Sequence, residues 1–251
     1  MNTIKEFLSL EEFESVIFNN DKINISQVVL DRVNESFDFL KEFSVNKIIY
    51  GVNTGFGPMA QYRIKDEDRI QLQYNLIRSH ASGTGKPLNA TCVKAAILAR
   101  LNTLSLGNSG VHSSVILLMQ ELINREITPL IFEHGGVGAS GDLVQLAHLA
   151  LVLIGEGEVF YKGERRPTAA VFAIEKLEPI QVEIREGLAL MNGTSVMTGI
   201  GVVNVHHAHK LLDWSIKFSC AINELVQAYD DHFSEELNDT KRHKGQREVA
   251  S

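Results

Sequence analysis

Cysteine is scarce: Cys92 and Cys220 are the only two in 251 residues, and they share no paired spacing. That excludes a disulfide scaffold and fits free thiols in a reducing compartment, so a cytoplasmic protein is expected. Long apolar runs are missing too. The longest, residues 146–154, contains His148 and is too short to span a bilayer, so no membrane partner is expected. The opening residues run from Met1 to Leu8 into Glu11, Glu12 and Glu14 with no apolar stretch between, so neither a signal peptide nor a transit peptide is expected. Positive charge is not in excess: 24 Lys and Arg stand against 31 Asp and Glu, for a net charge of −7. The one dense basic cluster, Lys241-Arg242-His243-Lys244, is short enough to be a solvated helix end, and no nucleic-acid partner is expected.

Apolar residues make up 44% of the chain, enough for a large core in one big domain or two small ones. Helical periodicity dominates. Helices are expected over residues 4–18, 25–43, 66–79, 91–106, 113–125 and 143–154, a long one over about 193–229, and another from near Ser234. Residues 143–154 are apolar almost all round, which belongs in the middle of a bundle, and Asp142 stands where it can cap that helix. A strand-like Lys47-Ile48-Ile49-Tyr50 enters the glycine-rich loop from Gly51 to Pro58, and alternation over residues 158–165 suggests a hairpin arm. The chain stops at Ser251 inside a helical pattern without a capping signal, as though interrupted.

The richest segment is Gly135-Gly136-Val137-Gly138-Ala139-Ser140-Gly141-Asp142. If the backbone nitrogen of Gly141 attacks the Ala139 carbonyl and Ser140 dehydrates, two waters leave and a methylidene-imidazolone ring remains, an electrophile made from the backbone. Cyclisation demands a tight bend, which small residues permit. The same stretch satisfies the spacing Gly136-x-Gly138-x-x-Gly141 of a dinucleotide-binding turn. That reading needs a strand running directly into the first glycine of a βαβ unit. No Gly-Lys-Ser/Thr follows, so a phosphate-binding P-loop is excluded. A purely structural glycine turn is the third option.

Separate segments decide among these in combination. Tyr50-Gly51-Val52-Asn53-Thr54-Gly55-Phe56-Gly57, Asn75-Leu76-Ile77-Arg78-Ser79-His80, Gly138-Ala139-Ser140-Gly141-Asp142-Leu143 and Leu190-Met191-Asn192-Gly193-Thr194 together resemble the N-terminal half of the aromatic amino acid ammonia-lyases. That family includes the histidine, phenylalanine and tyrosine ammonia-lyases. The resemblance implies a mainly α protein, the N-terminal half of a fumarase/aspartase-like helical bundle with a few short strands and a glycine-rich catalytic loop. Residues 1–190 would carry the tyrosine loop and the ring segment, and residues 191–251 the start of the long-helix bundle. It implies a carbon–nitrogen lyase acting through the ring formed from Ala139, Ser140 and Gly141, with no metal and no nucleotide. It also implies a homotetramer whose sites draw on several subunits.

By the same resemblance Tyr50 is the general base, its phenol acting as phenolate. Asn192 hydrogen-bonds the ring oxygen as an oxyanion-hole donor does, Gly57 lines the mobile loop, and Ser79-His80 is the selectivity pair. Ser-His is the histidine-lyase pattern. A branch of bacterial tyrosine ammonia-lyases carries it as well, and Gln61-Tyr62-Arg63-Ile64 and Arg242-His243-Lys244-Gly245-Gln246 resemble that branch. The expectation is therefore L-tyrosine to p-coumarate, with L-histidine to urocanate as the alternative. Family members are about twice as long, and the remaining half would hold a second catalytic tyrosine and an arginine for the substrate carboxylate. The 251-residue chain alone is expected to have little activity. His148 reads as a satisfied core residue, and His206, His207 and His209 as a solvent or subunit face, since no carboxylate or cysteine joins them at a convincing metal-ligand spacing, although Asp213 lies four residues beyond His209.

Overall fold

Ser9 sets the first helix in the computed structural model, which describes residues 2–251. Its hydroxyl accepts from the Glu12 N–H at 3.2 Å while the Glu12 carboxylate accepts from the Ser9 N–H at 2.9 Å, a reciprocal capping box. The residues before it therefore leave the expected helix. They form β1 (Asn2–Ile4), which pairs in parallel with β2 (Ile23–Ile25) on either side of α1 (Leu10–Phe18). Because Ile25 belongs to that ladder, α2 begins later than its periodicity suggests and spans Gln27–Phe43.

Lys47 to Tyr50 is not a strand. The Asn53 side chain takes its backbone groups instead: Oδ1 accepts from the Ile49 N–H at 2.8 Å and Nδ2 donates to the Lys47 carbonyl at 2.5 Å. The Ile49 N–H and the Lys47 carbonyl are thereby withheld from any ladder. After this loop come α3 (Arg69–His80), β3 (Thr84–Pro87), α4 (Ala90–Leu104), α5 (Ser113–Asn124), β4 (Thr128–Pro129), β5 (Phe132–His134) and α6 (Leu143–Leu153). The expected hairpin is present as β6 (Glu158–Tyr161) and β7 (Glu164–Pro167), joined through Lys162 and Gly163, both at positive φ. β4 extends it to three strands, and β3 pairs antiparallel with β5. The remaining elements are α7 (Thr168–Glu175), α8 (Glu186–Met191), α9 (Ser195–Leu225), α10 (Glu235–Asp239) and α11 (Lys244–Ala250).

Backbone proximity divides the chain into one unit ending at Val203 and a second, Asn204–Ser251. The core of the first is built on α4 and α6. Val93, Ile97, Leu98, Leu101 and Leu104 from α4, and Leu146, Ala147, Leu149, Ala150 and Leu153 from α6, are all at most 1% exposed. Each large aliphatic side chain so enclosed contributes roughly 1.5–3 kcal/mol relative to exposure. The all-round apolar character of α6 is accounted for by α3, α5 and α8, which pack around it.

In the second unit the buried Asn238 organises the end of the chain. Its Nδ2 donates to the Ser234 carbonyl at 3.0 Å, and its Oδ1 accepts from Gln246 at 2.8 Å. Leu211, Leu212, Trp214, Phe218, Ile222 and Leu225 on α9 are each more than half exposed. Among the described residues no helix is long and apolar enough to cross a membrane.

Candidate active site

Tyr50 sits at the mouth of a bend that folds back on itself. Gly55 N–H donates to the Tyr62 carbonyl at 3.0 Å and Ile64 N–H to the Asn53 carbonyl at 2.9 Å. The Tyr50 side chain is half exposed. Its hydroxyl oxygen accepts from the Gly57 N–H at 3.2 Å, and Phe56 meets its ring edge-on at 6.0 Å. Gln73 on α3, fully buried, fastens this bend to α8: its Nε2 donates to the Gly51 carbonyl at 3.1 Å and its Oε1 accepts from Leu188 N–H at 3.4 Å. Asn192 lies immediately beyond α8. Tyr50 and Asn192 line one cavity of about 750 Å³, together with Arg100, Leu188 and Thr194.

The Ala139-Ser140-Gly141 segment meets the same corner at Gly193. Gly138, Ser140 and Gly141 have φ of 70°, 62° and 85°, left-handed conformations that only small residues take at low cost. Gly141 bridges Gly193 in parallel, and Asp142 N–H donates to the Gly193 carbonyl at 2.7 Å. A Cβ on Gly141 would strike that carbonyl. Ala139 and Ser140 are exposed.

The Asp142 side chain does not cap α6. Its Oδ2 accepts instead from the N–H groups of Val196 and Met197, each at 2.9 Å, at the start of α9. A carboxylate there satisfies two orphan donors and meets the positive end of the helix dipole. The first turn of α9 is thereby pinned to the segment of residues 139–142.

Ser79 and His80 close α3. Ser79 Oγ donates to the Leu76 carbonyl at 3.1 Å, and His80 Nδ1 lies 2.9 Å from the same oxygen. They do not line the cavity shared by Tyr50 and Asn192. Neither does Gly57, which reaches the site through its hydrogen bond to Tyr50. His148 accepts from the Gly83 N–H at 3.0 Å, and burial pushes its pKa down, as suits a satisfied core histidine.

Arg100, Gln73 and Glu186 escape a motif-based reading. Arg100 carries the one charge in residues 95–104 and stands among the apolar residues 95–99 and 101, a signal available in the sequence. Glu186 is fully buried. Its two oxygens accept from the N–H groups of His112 at 2.6 Å and Glu183 at 2.7 Å, and desolvation raises its pKa to about 7 despite them.

The dinucleotide reading fails on its setting. The strand entering the glycines is β5, paired antiparallel with β3 and not part of a βαβ crossover. Residues 8–251 match the model of the aromatic amino acid lyases. The chain belongs to that family. The histidine ammonia-lyase of Stigmatella aurantiaca is 38% identical over 252 residues, covering 100% of this chain and 49% of that protein. Among solved structures, the phenylalanine aminomutase of Pantoea agglomerans superposes with a TM-score of 0.93 at 33% identity, covering 100% of this chain and 49% of that one. A tyrosine aminomutase from Streptomyces globisporus does so at 0.92 and 33%, covering 99% and 47%. This chain shares their mainly helical fold. The chain spans about half the length of the relatives it matches.

Proposed function

We propose that this chain supplies the electrophile and the base of an ammonia-lyase that eliminates ammonia from L-tyrosine to give p-coumarate. The observation that carries the reading is the clasp at Gly193, which holds the Ala139-Ser140-Gly141 segment against the corner bearing Asn192, while Asn192 and Tyr50 share a cavity. The segment fits the methylidene-imidazolone group: its bend is left-handed at Gly138, Ser140 and Gly141, and a side chain at 141 would collide with Gly193. When formed, the ring supplies an electrophile that turns a poor amine leaving group into a good one.

The remaining work falls to side chains. Tyr50 takes the β-proton of the substrate at its phenolic oxygen, where the Gly57 N–H already donates. Asn192 donates to developing negative charge. Gly57 acts through its hydrogen bond to Tyr50, and the Ser79-His80 pair, outside the cavity of Tyr50 and Asn192, is assigned to selectivity on the family resemblance, its imidazole suiting a phenol or an imidazole. The half of the relatives that this chain does not span would complete the site, so residues 1–251 alone turn over little substrate. The exposed apolar residues of α9 are covered in a homotetramer, and the two unpaired thiols suit the cytoplasm.

Tyrosine rests on the likeness of residues 61–64 and 242–246 to bacterial tyrosine ammonia-lyases. L-histidine is the second reading, favoured by the Ser79-His80 pair and by the histidine ammonia-lyases among the relatives. Assaying the protein expressed from its native locus with both amino acids decides: p-coumarate formation supports the first reading, urocanate alone the second. Formation of neither product by a native protein that extends beyond residues 1–251 and carries the two-water mass deficit contradicts both readings.

A further inference from the structure

Arg100 has no part in the chemistry assigned to Tyr50 and Asn192, yet it is 4% exposed in the middle of α4. Its hydrogen bonds go to main-chain carbonyls: Nη2 donates to Asn192 O at 2.8 Å and to Ala189 O. Its Nε is buried without a partner. Burial pulls its pKa down to about 10, opposed by the charge of Asp142. An enclosed cation held by neutral acceptors is costly, and an aliphatic residue would fill the position more cheaply. The acceptors explain the choice. Both are carbonyls at the C-terminal end of α8, which the helix leaves unpaired and partially negative, and one belongs to Asn192 itself.

The guanidinium also restricts position 193. A Cβ on Gly193 would collide with Arg100 Nη1. Arg100 therefore packs on one face of the Asn192-Gly193 corner while Asp142 N–H and Gly141 hold the other face through the Gly193 carbonyl.

We propose that Arg100 is a positioning residue: by gripping the carbonyls of Ala189 and Asn192 it fixes the corner against which residues 139–141 are bent, and so governs both ring closure and the aim of the Asn192 amide. The inference rests on the lyase reading. In ring closure the Gly141 nitrogen bonds to the Ala139 carbonyl carbon and that oxygen leaves as water. Ser140 then loses its α-proton and its hydroxyl as a second water, and no oxidant or reductant is required.

The test compares wild type, Arg100→Lys, Arg100→Gln and Gly193→Ala in the protein expressed from its native locus. Lysine keeps the charge and a donor nitrogen, but it lacks the planar guanidinium whose Nη2 meets both carbonyls while its Nη1 lies against Gly193. Gly193→Ala leaves Arg100 in place and displaces its guanidinium. The readouts are the fraction of chains lacking two waters by intact mass, the thermal midpoint, and kcat and KM normalised to that fraction. The expected result is a reduced dehydrated fraction in each variant. Among the dehydrated chains kcat should fall on the order of 10²-fold with KM little changed, as loss of alignment predicts. If Arg100→Gln fails to fold, Arg100→Lys and Gly193→Ala decide. Full dehydration and wild-type kcat in those two overturns the inference, even if their midpoints fall, because Arg100 would then be structural only. A wild type without the mass deficit overturns the lyase reading and this inference with it.

Discussion

Replacing Asp142 with alanine should loosen the start of the long helix and leave the helix that Asp142 precedes untouched. Its carboxylate accepts from Val196 and Met197 N–H, each at 2.9 Å. Losing a capping side chain costs about 1 kcal/mol. The missing negative charge at a helix N-terminus adds about 0.3–1 kcal/mol, and hydrogen bonds to a charged acceptor sit at the upper end of the usual range. These contributions overlap, so we expect a total of roughly 2–3 kcal/mol, and a drop in melting temperature of about 5–10 °C for a protein of this size. Asp142→Asn keeps an acceptor oxygen and should lose about half as much. The assay is thermal unfolding together with amide exchange resolved by residue. Faster exchange at Val196 and Met197 is expected. A loss under about 0.5 kcal/mol, or acceleration at Gln145 and Leu146 in its place, would refute the reasoning and return Asp142 to the cap of α6.

Glu186 should make stability fall with rising pH. Its folded pKa of about 7 lies above the ordinary 4.5, so the folded state holds a proton that the unfolded chain releases. The resulting loss accrues between those two values and approaches roughly 3–3.5 kcal/mol at most. Urea unfolding at pH 5 and pH 7.5 should show a steeper fall in wild type than in Glu186→Gln, and equal slopes would show that Glu186 does not carry the pH dependence. Gly199→Ala should destabilise by about 1–3 kcal/mol, because the new Cβ falls 2.6 Å from the Ala95 and Ala96 backbone of α4. An unchanged melting temperature would contradict that close approach. Tyr50→Phe should leave the two-water mass deficit intact while turnover falls by roughly 10²–10⁴-fold, and normal turnover would take the base role from Tyr50.

The elements that periodicity and punctuation specify are legible in the amino-acid string: α3 to α6, the hairpin of β6 and β7, and the long helix. So is the family, because the Tyr50 loop, the Ala139-Ser140-Gly141 segment and the Asn192 turn are local strings. What escapes depends on where side chains far apart in sequence meet. Asn53 occupies the backbone groups that a strand at residues 47–50 would need, so the β-like run there becomes a bend. Asp142 is adjacent to α6 in sequence, yet its carboxylate reaches Val196 and Met197, fifty-four and fifty-five residues on. Capping rules look only a few residues ahead and therefore name the wrong helix. Arg100 and Gln73 join elements of large sequence separation, and no motif spacing contains them. Ser79 and His80 are visible as a pair, but the cavity of Tyr50 and Asn192 does not reach them.

The central claim is that Ala139, Ser140 and Gly141 become an electrophile. Intact mass of the protein as expressed from its native locus, with mapping of the peptide that contains these residues, tests it most directly. The expected result is a mass short by two waters, with the deficit located on that peptide and abolished by Ser140→Ala. An unmodified wild-type mass, or a deficit that survives Ser140→Ala, would contradict the claim.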